Sequence, residues 1–300
     1  MKISVALATY NGSSYIKELL NSLKNQTKQP SEVVICDDCS RDGTMEIVND
    51  FINANSLSAS VYENRKNLGF KANFKETVSK CNGDIIFLCD QDDIWAKEKI
   101  QIMCEFFKTH NDCLALASSF CLTDENGIEI NNAQKGANYG LISKNIKDGE
   151  CAKISLKTVL HANIAPGCTV AIRKSLAKEF CKKSQSVLPH DWELCLAAAA
   201  KNGLYFLNEK LVYYRQHQNN TLGFSGKTQS REEIALEKFG AIKEVCKYEN
   251  KNELKAFLEK RYNCLKDKNL KGLIKIIFNK NYSFFSLKER IGDIVYTAKK

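Results

Sequence analysis

Two clusters of carboxylates interrupt the first hundred residues of this 300-residue chain, Asp37-Asp38 and Asp90-Gln91-Asp92-Asp93. Each follows a short apolar run (32–36 and 85–89) of the kind that forms a strand buried on both faces. At this spacing Asp90, Asp92 and Asp93 repel one another, and the cluster is costly unless a cation or solvent relieves it. Two acidic residues one apart at a strand end present oxygen ligands to a hard divalent ion, Mg²⁺ or Mn²⁺, which would be shared with substrate phosphates. The plainer reading is a solvated acidic turn. Placement at the carboxyl end of a strand, with Trp95 following, favours the ion.

The segments around these clusters alternate between strand and helix patterns. Residues 3–8 are short and apolar, and Thr9-Tyr10-Asn11-Gly12-Ser13-Ser14 supplies turn and helix-capping types. Ile16, Leu19, Leu20 and Leu23 then recur at helical spacing across 15–26. A strand over 32–36, a polar loop over 37–44 and a helix over 45–54 follow. A strand near 58–63, a helix over 71–80 and the strand 84–89 continue the alternation. This order predicts right-handed βαβ crossovers and a mostly parallel sheet covered on both faces. Ligands of such sheets bind beyond the carboxyl ends of the strands, which directs attention to the loops after Ala8, Cys36 and Cys89. Beyond 114 the pattern loosens. It gives a strand over 114–122, a polar glycine-containing loop over 133–149 suited to an acceptor, and a strand over 170–172. A helix over 191–201 and strands over 204–206 and 211–214 complete it.

Hydrophobic residues make up 44% and charged residues 26%, values that exclude bulk disorder and fibrous repeats. No run of about eighteen uncharged apolar residues is present, and the first apolar stretch is too short for a signal peptide. A cytoplasmic location is therefore expected. Many of the thirteen cysteines lie inside apolar runs (Cys81, Cys104, Cys121, Cys195), where they act as small hydrophobes, so free thiols are expected. The net charge of +9 divides unevenly. Residues 226–300 hold 18 basic and 10 acidic residues, +8, whereas residues 1–225 hold 26 and 25, +1.

Six motifs occur in order: Ala8-Thr9-Tyr10-Asn11-Gly12, Asp37-Asp38-x-Ser40-x-Asp42-Gly43-Thr44, Asn67-Leu68-Gly69, Asp90-Gln91-Asp92-Asp93-Ile94-Trp95, His190-Asp191-Trp192 and Tyr214-Arg215-Gln216-His217-x-x-Asn220. Together they resemble glycosyltransferase family two, the inverting GT-A enzymes, and within it the bacterial rhamnosyltransferase-like members that build surface polysaccharides. The resemblance covers residues 1–225. It implies an α/β fold of the GT-A type, Rossmann-like, with a mostly parallel central sheet in three layers; residues 226–300 would add a basic helical extension. It also implies transfer of rhamnose or a hexose from a UDP- or dTDP-sugar to a saccharide or lipid-linked acceptor, with Mg²⁺ or Mn²⁺.

The resemblance assigns roles residue by residue. Asp38 corresponds to the carboxylate that reads the base; as a pure acceptor it suits the imide N–H of uracil or thymine. Ala8, Tyr10 and Asn11 would lie along the nucleotide, and Gly69 and Asn73 fall where the backbone passes close to it. Asp90 and Asp92 match the metal motif, with Asp92 the more direct ligand. Arg215 would face the diphosphate, and His217 would be a further ligand to the ion. Asp191 matches the catalytic base, which takes a proton from the acceptor hydroxyl as it attacks the anomeric carbon. The other reading of Asp191 is a first-turn acid favoured by the helix dipole. His190 and Trp192 would contact acceptor or sugar, with Trp192 either a sugar platform or a core residue.

Competing chemistries lack their parts. Cys36-Asp37-Asp38-Cys39 has dithiol spacing, but two carboxylates between the thiols oppose the thiolate. Neither G-x-G-x-x-G nor a P-loop is present. In the tail, Leu270, Leu273, Ile274, Ile276, Ile277 and Phe278 are interleaved with Lys268, Lys271, Lys275 and Lys280. That composition suits either an amphipathic surface on anionic lipid at the inner membrane face or a helical hairpin packed on the main body. No motif that reads nucleic acid accompanies the charge. The alternative from another class is a catalytically silent sugar-nucleotide binder or membrane-surface assembly partner.

Overall fold

The computed structural model describes residues 1–55, 57–130, 142, 145–218 and 230–298. Its strands are β1 (Ile3–Thr9), β2 (Glu32–Asp37), β3 (Ala59–Glu63), β4 (Ile85–Asp90), β5 (Ile94–Trp95), β6 (Ala115–Thr123), β7 (Cys151–Lys153), β8 (Val170–Arg173) and β9 (Leu204–Arg215). They form one sheet of order β3-β2-β1-β4-β8-β6-β9-β5, with β7 beside β9. The pairs β1/β2, β1/β4, β2/β3 and β6/β9 are parallel, while β8, β5 and β7 run antiparallel to their neighbours.

Helices cover both faces. On one side lie α1 (Ile16–Lys24), α2 (Thr44–Asn55) and α4 (Lys99–Thr109); on the other lie α3 (Phe70–Lys80), α5 (Leu156–His161), α6 (Lys174–Lys183) and α7 (His190–Ala200). Strand residues divide between the two cores by simple alternation. Val5, Leu7, Val33, Ile35, Phe87 and Cys89 face the first, and Ala6, Ala8, Val34, Cys36, Ile86 and Leu88 face the second. The result is three layers, as the near-continuous apolar strands require.

The two short strands expected over 204–206 and 211–214 are a single strand, β9. Polar Asn208-Glu209-Lys210 resembles a turn in sequence, but it forms a bulge against β6 at Ser118–Ser119 that leaves the pairing direction unchanged. All thirteen cysteines are free thiols, and most are buried.

After residue 230 come α8 (Arg231–Val245), α9 (Asn252–Lys266), α10 (Leu270–Ile276) and α11 (Leu287–Ala298). Ser230 and Glu233 cap α8 reciprocally. Ala241, Ile242, Val245, Phe257 and Leu258 join the core beneath α3, α5 and α7, so the lysine-rich helices are packed on the main body. The expected boundary at 225/226, most of the 133–149 loop and Asn220 lie outside the described residues. Among the described residues no helix is long and apolar enough to cross a membrane.

Candidate active site

The strand order turns at β1, between β2 and β4, and a crevice opens there beyond the carboxyl ends. It is a cavity of about 670 Å³ lined by Ala8, Tyr10, Asn11, Asp38, Gly69, Asn73, Asp90, Asp92 and His217, together with Tyr15, Phe70, Phe74 and Gln91. Nine side chains or backbones expected at the site, drawn from five separate segments, thus share one hollow.

Asp38 closes the loop that follows β3. Its Oδ1 accepts from the Leu68 N–H (2.7 Å) and Asn64 Nδ2 (2.9 Å), and its Oδ2 from the Gly69 N–H (2.8 Å). Gly69 has φ +79°, a conformation that resists any side chain, and this lets two successive N–H groups converge on one carboxylate. Oδ2 keeps an open lone pair for a donor on a ligand. Asn73 ties the strand ends together: Nδ2 donates to Cys36 O (3.0 Å), and Oδ1 accepts from Asn64 Nδ2 (2.9 Å). Across the crevice, Gln91 accepts from the Tyr10 N–H (2.8 Å) and donates to Tyr10 O (2.9 Å). A Cβ at Gly12 would stand 2.3 Å from Gln91 Oε1, so a side chain there would push the Gln91 amide off Tyr10.

The acidic loop carries a steep local field. Burial, then the charges of Asp92 and Asp191, push Asp90 up to about 7, while the Cys168 N–H holds its Oδ2 at 3.1 Å. Burial and Asp92 drive Asp93 well above the usual carboxylate range; its Oδ1 accepts from the Arg215 N–H (3.0 Å). Beneath them the buried Lys99 sits 3.4 Å from the Trp95 ring centre and donates to Cys168 O, a fixed cation that burial pushes down to about 8.

The donor set fits a hard divalent ion. Asp92 Oδ2 and His217 Nε2 stand 2.8 Å apart, close to the ~3.0 Å between neighbouring corners of an octahedron with ~2.1 Å bonds. Both open onto the cavity beside Asp90. Asp90, Asp93 and Cys168 also bring potential ligand atoms within 4.8 Å of one another. However, burial keeps the Cys168 thiol protonated, which leaves the Asp90–Asp92–His217 edge as the better oxygen and imidazole set.

Asp191 is the second residue of α7, and burial pushes its carboxyl up to about 6 against hydrogen bonds from Asn163 Nδ2 (3.0 Å) and the Trp192 N–H (2.7 Å). The turn at Gly167 passes between it and Asp90. A Cβ there would lie 2.7 Å from His190 Nε2 and 3.5 Å from Asp90 Oδ2. A buried carboxylate poised near neutrality beside the acidic cluster has the character of a general base.

Three expectations are corrected. Arg215 does not face the cavity. It is 2% exposed, and its guanidinium donates to Asp92 O, Glu125 O and the Glu18 carboxylate, clamping the acidic loop from behind. Trp192 is a core residue whose Nε1 donates to Val159 O (2.8 Å), since the third position of α7 points away from the crevice. His190 is stacked on Phe74 at 3.7 Å behind the cavity wall, and burial pushes it down to about 3, so it stays neutral. Sequence reasoning missed Tyr15, whose ring lies 4.6 Å from His217, and Asn163, which lies where the pattern loosens. A tyrosine one residue before α1 was the available signal for the first.

The model of the family described as glycosyl transferase family 2 matches residues 4–180. The dTDP-rhamnosyl transferase RfbG of Shigella flexneri is 31% identical over 229 residues, 72% of this chain and 73% of that protein. The fold is similar to that of Staphylococcus aureus TarS residues 1–349 in complex with UDP-GlcNAc (TM-score 0.62, 20% identity, 99% of this chain and 79% of that one). It is also similar to the mannosyltransferase PcManGT of Pyrobaculum calidifontis in complex with GDP-Man and Mn²⁺ (TM-score 0.56, 14% identity, 99% and 86%). With the family model spanning more than half of its residues, this chain belongs to glycosyl transferase family 2.

Proposed function

We propose that this enzyme moves a sugar, rhamnose or a hexose, from a UDP- or dTDP-sugar to a hydroxyl of a saccharide or lipid-linked acceptor, with inversion, in the assembly of a bacterial surface polysaccharide. Residues 1–225 form the catalytic unit and 226–300 a helical extension. Similarity to a dTDP-rhamnosyl transferase supports the donor class. The observation that carries the reading is the convergence of Asp38, Asp90, Asp92 and His217 on one cavity, with the buried Asp191 beside it.

Asp38 Oδ2 accepts from the imide N–H of a uracil or thymine base, and Tyr10, half exposed at the rim, lies against the base or ribose. Asp92, His217 and Asp90 would hold Mg²⁺ or Mn²⁺. The ion, when bound, offsets the charge on the departing nucleoside diphosphate. Asp191 takes the proton from the attacking hydroxyl, and Asn163 fixes the carboxylate's orientation. Because the displacement is single, one base suffices and no covalent sugar–enzyme bond is formed.

The test is a thermal-shift screen of UDP-, dTDP- and GDP-sugars with and without Mn²⁺, followed by a nucleotide-release assay. A pyrimidine sugar nucleotide should stabilise the fold only with the ion, and Asp92→Ala should abolish metal-dependent turnover. Stabilisation by GDP-sugars alone, or full turnover by Asp92→Ala, would overturn the assignment.

A further inference from the structure

Helix α11 is oriented contrary to an ordinary surface helix, which buries its apolar stripe. Its inner side is mostly polar, with only Ile294 packed on the core among the described residues. Asp293 is fully buried and accepts from Arg261 Nε (2.7 Å), Arg261 Nη2 (2.9 Å), Tyr282 Oη (3.1 Å) and Arg231 Nη1 (3.2 Å). Glu289, also turned inward, meets Lys238 (3.2 Å) and His161 (3.3 Å). The outer side carries Leu287, Ile291 and Val295 at four-residue spacing, 72%, 52% and 49% exposed. Helix α10 packs against α11 and contributes the exposed Ile274; just before it Lys268 Nζ lies 3.2 Å from the Tyr296 ring centre, and just after it stands the 92% exposed Phe278. Among the described residues from 268 to 298 the exposed charged side chains are lysines 268, 271, 275, 280 and 288; Lys280 pairs with the exposed Glu253 (2.7 Å), and Asp267 is exposed just before this span.

We propose that this face docks on an anionic lipid bilayer. Leu287, Ile291, Val295 and Phe278 enter the headgroup boundary, and Lys271, Lys275 and Lys288 meet lipid phosphates, whereas Lys280 is paired with Glu253 and Lys268 with Tyr296 O. A second copy of the chain is a poorer occupant, because it would set lysine against lysine. The docking has a consequence for the reaction, which rests on the transfer reading above. Glu289 touches His161, two residues before the Asn163 that holds Asp191. The base side of the cleft is thereby tied to the docking helix, where a lipid-linked acceptor would present its hydroxyl.

Sedimentation of the intact chain with phosphatidylcholine vesicles, with and without phosphatidylglycerol, tests the proposal and needs neither donor nor acceptor. Its failure therefore leaves the transfer reading standing, and the reverse also holds. The wild type should partition at least ~10-fold more strongly onto anionic vesicles, and the difference should collapse at about 0.5 M salt. The triple variant Leu287→Gln/Ile291→Gln/Val295→Gln should lose at least ~10-fold in partitioning, with donor hydrolysis unchanged. Phe278→Ser, at a position with almost no packing to disturb, should lose roughly 3-fold. Equal binding to neutral vesicles, undiminished binding by both variants, or a wild-type dimer that the triple variant dissociates would each overturn it.

Discussion

Replacing Asp191 by asparagine should stop transfer while stabilising the fold. The carboxyl is buried, and its pKa is about 6 in the folded chain, against about 3.9 when unfolded. Because the folded value is the higher one, folding is favoured most below pH ~4, and that advantage is lost as pH rises through about 6. Above pH 7 the buried anion therefore costs roughly 3 kcal/mol, two pKa units at 1.36 kcal/mol each. Asparagine removes the charge but spoils one of two hydrogen bonds, since its amide group must face either the Asn163 Nδ2 or the Trp192 N–H. That mismatch costs about 1 kcal/mol. The net gain of about 1–2 kcal/mol corresponds to a melting temperature higher by ~2–5 °C at pH 8. At pH 4 the gain should vanish.

The same substitution should lower kcat by ~10²–10⁴. Donor affinity should stay within about 2-fold, because Asp191 is absent from the cavity lining. The acidic limb of the wild-type pH–rate profile should fall near 6, leaving about one-tenth of the plateau rate at pH 5. Asn163→Ala, which removes a donor to the anion, should move that limb upward by about one unit. Melts from pH 4 to 8 and a coupled nucleotide-release assay provide both readouts. A variant that melts lower at pH 8 and still turns over would make Asp191 a first-turn structural acid and refute the reasoning.

Two further outcomes follow from the geometry. Gly69→Ala places a side chain at φ +79°, ψ 154° in open space, so its cost is conformational, about 1–3 kcal/mol. It should raise the donor KM through the Asp38 latch while leaving ion affinity unchanged, as read by donor and Mn²⁺ titrations. Arg215→Met strips donors from Asp92 O and Glu125 O and should destabilise by about 2–4 kcal/mol. A folded variant with a normal melting point but a greatly raised donor KM would restore Arg215 to the diphosphate.

What could be read from the sequence was whatever is local or periodic. Alternation along β1, β2 and β4 assigns each residue to one of two cores, and carboxylates ending such strands must emerge at the same edge of a parallel sheet. Asp38, Asp90 and Asp92 were legible for that reason. Arg215 was not, because its guanidinium turns toward Glu18, 197 residues earlier, and no local pattern encodes the direction. Trp192 shows the same limit: adjacent to Asp191 in sequence, it points 100° away on α7 and into the core. The tail makes the point most sharply. The tail's basic, apolar-interleaved composition suits a helix on lipid or a helix on the main body, and it does not say which face of α11 is buried. Burial is decided by Arg261 and Arg231, which arrive from other helices and hold Asp293 inside. Removing an anion so paired leaves buried cations uncompensated. The polar face therefore cannot turn outward, and the apolar stripe is held at the surface by the same network that anchors the helix.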